Sequence, residues 1–177
     1  MKAVMKTRRI ACALAAALMC AAAPAAFAQA DAPAGGAQVS PVKEDLRSLL
    51  DAGRARVTER KWQEAADIYR KALALSPGNG EAAFCLGTSL LQLKRHKEAL
   101  KVLDAMLERW PDDPAVKNNI AWICVTTTDP ATRDVGKGLK FARQAVMRKP
   151  GDPDLWSTLA EAHYAEGDFK KAARVAK

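Results

Sequence analysis

Aromatic residues and histidines are scarce in this chain of 177 residues. Phe, Trp and Tyr together make up 6% of it, which is low for a β-sandwich or barrel and usual for an α-helical protein. The two histidines, His96 and His163, stand in no HExxH motif, and the sequence contains no paired CxxC, no GxSxG and no phosphate-binding loop. We therefore predict a protein that is not an enzyme and has no catalytic, cofactor-binding or metal-binding residues.

The chain also lacks a strong excess of one charge. Lys and Arg number 28 against 20 Asp and Glu, for a net charge of +8. Four of the basic residues and none of the acidic ones fall within residues 1–28, so the remainder carries +4. A mixed-charge domain at +4 is not typical of nucleic-acid binding, and a hydrophobic fraction of 49% excludes a largely disordered chain. We predict a globular protein with no nucleic-acid partner.

One long uncharged run occurs, and it lies at the N-terminus. Four basic residues precede an Ala- and Leu-rich stretch over residues 10–27, which ends in Ala26-Phe27-Ala28, a small-x-small site typical of signal-peptidase cleavage. We predict a signal peptide over residues 1–28 and export to the periplasm or beyond the cell. The alternative is an uncleaved anchor, for which this run is marginally long. After cleavage we expect no stable membrane span.

A composition change follows the leader. Residues 29–43 are rich in Ala, Gly and Pro without apolar periodicity, and we predict a flexible linker there. Beyond them, apolar residues recur at spacings of three and four, which predicts helices. Turns are indicated at 76–80, 110–114 and 149–153, where Asp113 and Asp152 each precede a proline and so are predicted helix N-caps.

The helical region repeats itself. Pro77 and Pro111 lie 34 residues apart, and the preceding segments align, with Gly53 matching Gly87 and Ala65 matching Ala99. The segment 80–113 carries Leu86-Gly87, Leu90, Ala99, Leu103 and Pro111 at the spacing of the tetratricopeptide repeat, which the chain resembles over residues 46–177. The copies are predicted at 46–79, 80–113, 114–152 and 153–177; the third has an insertion at 126–138 and the fourth is partial.

The resemblance implies an all-α fold, a right-handed α-solenoid of stacked antiparallel helix pairs with three full repeats and a partial fourth. It also implies a concave groove, lined by the first helix of each pair, that binds a protein or peptide. Matching the groove positions of the family to this sequence gives eight candidate partner-binding residues: Arg47, Arg54, Phe84, Thr88, Leu91, Asn118, Trp122 and Tyr164. The alternative for the aromatic residues is simple packing between adjacent first helices.

The resemblance therefore predicts a non-catalytic interaction module, an adaptor or assembly factor of the cell envelope. A competing hypothesis is a structural module that self-associates through the uncapped C-terminal helix near Phe169. A third, an enzyme or small-ligand carrier, lacks a polar constellation to support it. The insertion at 126–138 is predicted to be a tolerated loop enlargement, with a second contact surface as its alternative.

The cysteines left after the leader are Cys85 and Cys124, at the sixth and eleventh positions of successive first helices. A five-residue offset is about 7.5 Å along a helix, and packed helix axes lie about 8–10 Å apart. Together these distances exceed the Cα separation of about 7 Å that a disulfide tolerates. We predict two buried free thiols.

Overall fold

The structure is a computed structural model that describes residues 41–176, and all of its regular structure there is helical. The prediction of an all-α fold built from adjacent helix pairs is confirmed for this part of the chain. The eight helices are α1 (Pro41–Thr58), α2 (Trp62–Leu75), α3 (Gly80–Gln92), α4 (His96–Arg109), α5 (Pro114–Thr126), α6 (Val135–Arg148), α7 (Pro153–Glu166) and α8 (Phe169–Val175).

The described residues fall into two compact units, 41–95 and 96–176. In the first unit α2 packs against both α1 and α3. In the second unit each helix from α4 to α8 packs against the next one, and α5 also contacts α7. The predicted signal peptide lies outside the described residues. So does the predicted linker except for 41–43, which are helical and belong to α1.

The side chains that define the repeats form the core of each unit. Ala65, Tyr69 and Ala72 on α2 are fully buried, as are Ala99 and Leu103 on α4. These positions alternate small and large residues along one face of a helix, so the partner helix approaches closely at each small residue while the large one fills the space beside it. The spacing that indicated a repeat in the sequence is therefore the spacing of the core.

Gly53 shows why one repeat position excludes a side chain. A Cβ atom built on Gly53 in α1 would lie 2.6 Å from Cε1 and Cζ of the Tyr69 ring on α2. Real Cβ atoms do not approach carbon that closely, so the phenol packs directly on the glycine backbone. Gly138 plays a similar part in the other unit, where its Cβ would lie 2.5 Å from Cγ1 of Val125.

Acidic and amide side chains begin most of the helices. The predicted caps are confirmed: Asp113 accepts hydrogen bonds from the backbone N–H groups of Ala115 and Val116, and Asp152 accepts one from Asp154. Proline follows each of them at the first helical position. The caps satisfy amides that have no partner within their own helix, which stabilises helices of only 13 and 14 residues.

The connection between α5 and α6 is shorter than the predicted insertion, because Thr126 and residues 135–138 are helical. Asp129 organises the remaining loop by accepting hydrogen bonds from the Ala131 N–H and the Thr132 hydroxyl. Arg133 donates to the carbonyl oxygens of Val125, at 2.8 Å, and Thr127, at 3.1 Å. These bonds satisfy carbonyls at the C-terminal end of α5, so the loop caps that helix.

The prediction of two free thiols is half right. Cys124 is buried and free. Cys85 is buried and disulfide-bonded, so it is not the free thiol that was predicted. Burial raises the pKa of the Cys124 thiol to about 11, so this thiol stays protonated at neutral pH and is a poor nucleophile in that state.

Candidate functional site

The eight predicted groove residues all lie on the first helices of the pairs. The first unit holds Arg47 and Arg54 on α1, with Phe84, Thr88 and Leu91 on α3. The second unit holds Asn118 and Trp122 on α5 and Tyr164 on α7. The candidates therefore form two separate groups of five and three, and each group has its own geometry.

In the first unit, Arg54 links two first helices. Its guanidinium donates to Asp51 one turn earlier on α1 and to Glu81 in the first turn of α3. The hydrogen bond to Asp51 and the charge of Glu81 raise the pKa of Arg54, and the same hydrogen bond lowers the pKa of Asp51. Arg47 lies about two turns before Arg54 on α1 and is exposed. The two arginines therefore differ: one is held by carboxylates and the other extends into solvent.

The three candidates on α3 are buried. Phe84 is fully buried, Thr88 is 1% exposed and Leu91 is 6% exposed. Their spacing of three and four residues places them on one face of α3. Little of the surface of these three side chains reaches solvent. Among the five candidates of this unit, the exposed surface that a partner could contact therefore belongs to the two arginines of α1.

In the second unit, Asn118 and Trp122 stand one turn apart on the same face of α5. Asn118 is 5% exposed, and its side-chain oxygen Oδ1 has no hydrogen-bond partner among the described residues. Trp122 is partly exposed. An unsatisfied acceptor one turn from a partly exposed indole is an arrangement suited to a ligand that brings one N–H donor and one apolar group.

Tyr164 completes the second group but also packs within its own unit. Its ring meets the Phe169 ring edge to face, with centroids 5.1 Å apart and an interplanar angle of 62°. Tyr164 remains partly exposed, while Phe169, the first residue of α8, is 52% exposed. Tyr164 therefore packs against a neighbouring ring and still offers accessible aromatic surface, so it fits both hypotheses made from the sequence.

Two residues with chargeable side chains near this group are buried, and the sequence reasoning missed one of them, Lys117. The Lys117 side chain is only 7% exposed and its ammonium lies 3.3 Å from Oδ1 of Asp112. Glu161 on α7 is 7% exposed as a whole residue. The structure singles them out because charged side chains are rarely buried. Hydrophobic periodicity could not predict this, because it assigns every lysine and glutamate to the solvent-exposed face.

His163 is buried, at 4% exposure. Its Nδ1 lies 3.4 Å from Oε2 of Glu166, yet the geometry makes no hydrogen bond there. No group of His, Cys, Asp and Glu side chains within residues 41–176 is arranged to hold a metal ion. In the same part of the chain, no helix combines the length and the apolar character needed to cross a membrane.

Comparisons with known proteins concern the repeat and the fold of this chain. Residues 50–114 match the family model described as Tetratricopeptide repeat. A stretch of 57 residues is 33% identical to the cellulose synthase operon protein C of Salmonella typhimurium; it makes up 32% of this chain and spans 5% of that protein's length.

Among solved structures, MamA of Desulfovibrio magneticus RS-1 is 25% identical and superposes with a TM-score of 0.64, over 75% of this chain and 72% of that one. The structure titled MamA MSR-1 C2 is 16% identical with a TM-score of 0.57, over 96% and 92% of the two chains, and this likeness shows the fold alone. Residues 50–114 are therefore similar to the tetratricopeptide repeat, and the solved structures share the all-α arrangement of helix pairs that the sequence predicted.

Proposed function

We propose that this protein is a non-catalytic interaction module that binds a peptide or protein segment, and that it serves as an adaptor or assembly factor in the cell envelope. The observation that carries the proposal is the α5 surface, where the unpartnered Oδ1 of buried Asn118 lies one turn from the partly exposed Trp122. Location in the periplasm or outside the cell rests on the leader pattern of residues 1–28.

The mechanism is recognition on a preformed helical surface. A backbone N–H of the bound segment would satisfy Oδ1 of Asn118, which removes the free-energy cost of leaving that acceptor unpaired. An apolar side chain of the segment would cover the Trp122 indole, which offers a large rigid contact area. Both groups sit on a helix that is already formed, so little conformational entropy is lost on binding.

The test is binding of peptides selected from a displayed library by the full chain. Replacing Trp122 by alanine should weaken binding of the selected peptides by about tenfold or more, as truncation of an interface anchor does. Trp156→Ala is the matched control, because Trp156 is 37% exposed but bonds through its Nε1–H to the Pro150 carbonyl. Equal loss in both variants, with unchanged circular dichroism, would contradict a site at Trp122.

Phe84 is unsuitable as a binding variant. It is fully buried, and truncating a buried phenylalanine to alanine costs about 3–5 kcal/mol of stability. Lost binding would then report lost folding. Arg47→Ala is the better second variant in the first unit, since Arg47 is exposed.

The second candidate function is self-association, and the exposed Phe169 favours it. Phe169 offers half of its surface to solvent beside the partly exposed Tyr164, which is an apolar contact that a second copy could cover. Analytical ultracentrifugation over a range of concentrations tests it. A mass that rises with concentration in the wild type and not in Phe169→Ser supports this candidate, whereas a constant monomer mass excludes it.

A further inference from the structure

The helices α6 and α8, each the second helix of its pair, share an unusual charge composition. The four charged residues of α6 and the three of α8 are all basic. The corresponding helix α4 mixes both signs. Both α6 and α8 pack against α7, so they flank the same helix of the second unit.

Part of this positive charge is neutralised within the unit. Lys137 lies 3.2 Å from Oδ1 of Asp104, Arg148 pairs with Asp112, and Lys171 lies 2.8 Å from Oδ2 of Asp168. Lys137 and Arg148 pair with acidic residues 33 and 36 positions away, whereas Lys171 pairs with the N-cap residue of its own helix.

The other four cations are available. Lys140 and Arg143 on α6, and Lys170 and Arg174 on α8, are exposed and make no ion pair or hydrogen bond within the described residues. Lys140 and Arg174 occupy equivalent positions of their helices, because each lies two residues after a small buried residue, Gly138 and Ala172 respectively. Both residues are exposed, and both helices flank α7.

An apolar side chain extends the cationic row. Met147 is 81% exposed and follows Lys140 and Arg143 at the spacing i, i+3, i+7, so the three share one face of α6. The opposite face of α6 is the buried one, which carries Leu139 and Ala142. The exposed Lys140 and Arg143 side chains, on the same face as the largely exposed Met147 side chain, form a surface with both electrostatic and apolar character.

We propose that this surface, Lys140, Arg143, Met147, Lys170 and Arg174, binds the anionic headgroups of a lipid membrane. Charge complementarity selects an anionic partner, because each lysine or arginine near an anionic bilayer surface contributes favourable free energy. Met147 selects a membrane over an acidic protein segment, because its apolar chain can enter the boundary between headgroups and acyl chains. The interaction is peripheral and independent of the α5 peptide surface.

The experiment uses the full chain with vesicles of equal parts phosphatidylglycerol and phosphatidylcholine, and with vesicles of phosphatidylcholine alone. Amide hydrogen exchange resolves the site even if another segment also binds lipid. We expect slower exchange in peptides covering 140–147 and 169–175 with the anionic vesicles only, and reversal of this protection by high salt. Peptides covering 67–74 on α2 should not change.

Variants supply the second readout. The double variant Lys140→Gln, Arg174→Gln should lose the protection of α6 and α8 and bind anionic vesicles about 30-fold more weakly than the wild type, from two lost cations. The control Lys71→Gln, Lys94→Gln removes the same charge from exposed positions of the first unit and should keep both properties. Met147→Ser should weaken binding to the anionic vesicles without changing its salt dependence.

Two results overturn the proposal. One is the absence of vesicle-dependent protection in α6 and α8, or equal protection in both double variants. The other is protection by a soluble polyglutamate peptide together with none by anionic vesicles, which would assign the surface to an acidic protein. Neither outcome bears on peptide binding at Trp122, so failure here is distinguishable from failure of the proposed function.

Discussion

At the scale of single residues, small side chains decide how closely the helices approach. Gly53 is the clearest case, since the Tyr69 ring occupies the space that any Cβ would need. Burial raises the pKa of the Tyr69 phenol well above its usual range, so the ring stays neutral in the core. The glycine and the tyrosine therefore act as one packing unit.

Gly53→Ala should destabilise the protein by about 1–3 kcal/mol, because the ring or the backbone must move to admit the methyl group. Chemical denaturation followed by circular dichroism measures the change. Gly151→Ala is the matched control, since a Cβ at that exposed turn position meets nothing within 4 Å, and we expect a neutral or slightly stabilising effect. Equal stabilities of the two variants would contradict the packing explanation.

At the scale of elements, short helices depend on their ends. The Asp113 carboxylate caps α5 while it is largely withdrawn from water, and burial raises its pKa although the amides of Val116 and Ala115 oppose the shift. The cap needs an acceptor oxygen, but it does not need the negative charge. Substitution can therefore separate the effect of the hydrogen bonds on stability from the effect of the charge.

Asp113→Ala should cost about 1 kcal/mol by removing the cap, and Asp113→Asn should retain it. Because the folded-state pKa of Asp113 is raised, the folded protein binds the proton more tightly than the unfolded chain does. The stability of the wild type relative to Asp113→Asn should therefore fall as the pH rises from below 3.8 through that raised pKa. Denaturation midpoints of both proteins across this range provide the measurement, and a difference that grows in favour of the wild type would contradict it.

At the scale of the whole molecule, each helix pair is stabilised mainly by its neighbours. The destabilising effect of a substitution should therefore stay within the helices that pack against the substituted residue. Within the second unit, Gly138 brings α6 against α5 through contact with Val125 and the Ala121 carbonyl. The surrounding core includes Leu139, Ala142 and Leu155.

Gly138→Ala should therefore speed amide hydrogen exchange in α5, α6 and α7 and leave exchange in α1 and α2 near the wild-type rate. Hydrogen exchange followed by mass spectrometry of proteolytic peptides measures this directly. Gly136→Ala serves as the control, because its Cβ would meet only Asp134 at 3.5 Å. Uniformly faster exchange throughout residues 41–176 would show a single cooperative unit instead.

The sequence by itself determined the fold. Apolar spacing of three and four residues predicts helices, because it matches the helical turn. The 34-residue repeat and the turn prolines predict helix pairs, because each repeat forms one pair. The N-caps Asp113 and Asp152 were predictable for the same reason: a cap is made by residues adjacent in the chain. The predicted groove positions also fall on the first helices, as the repeat register requires.

Only the tertiary structure decided which of those positions are accessible. Phe84 and Trp122 looked equivalent in the sequence, yet one ring is fully buried and the other partly exposed. The pairing of Arg54 with Glu81 joins side chains 27 residues apart, and the exposure of Lys140 and Arg174 likewise depends on how the helices pack. Local sequence fixes the direction of a side chain from its own helix, whereas exposure and charge pairing depend on the neighbouring helices that pack against it.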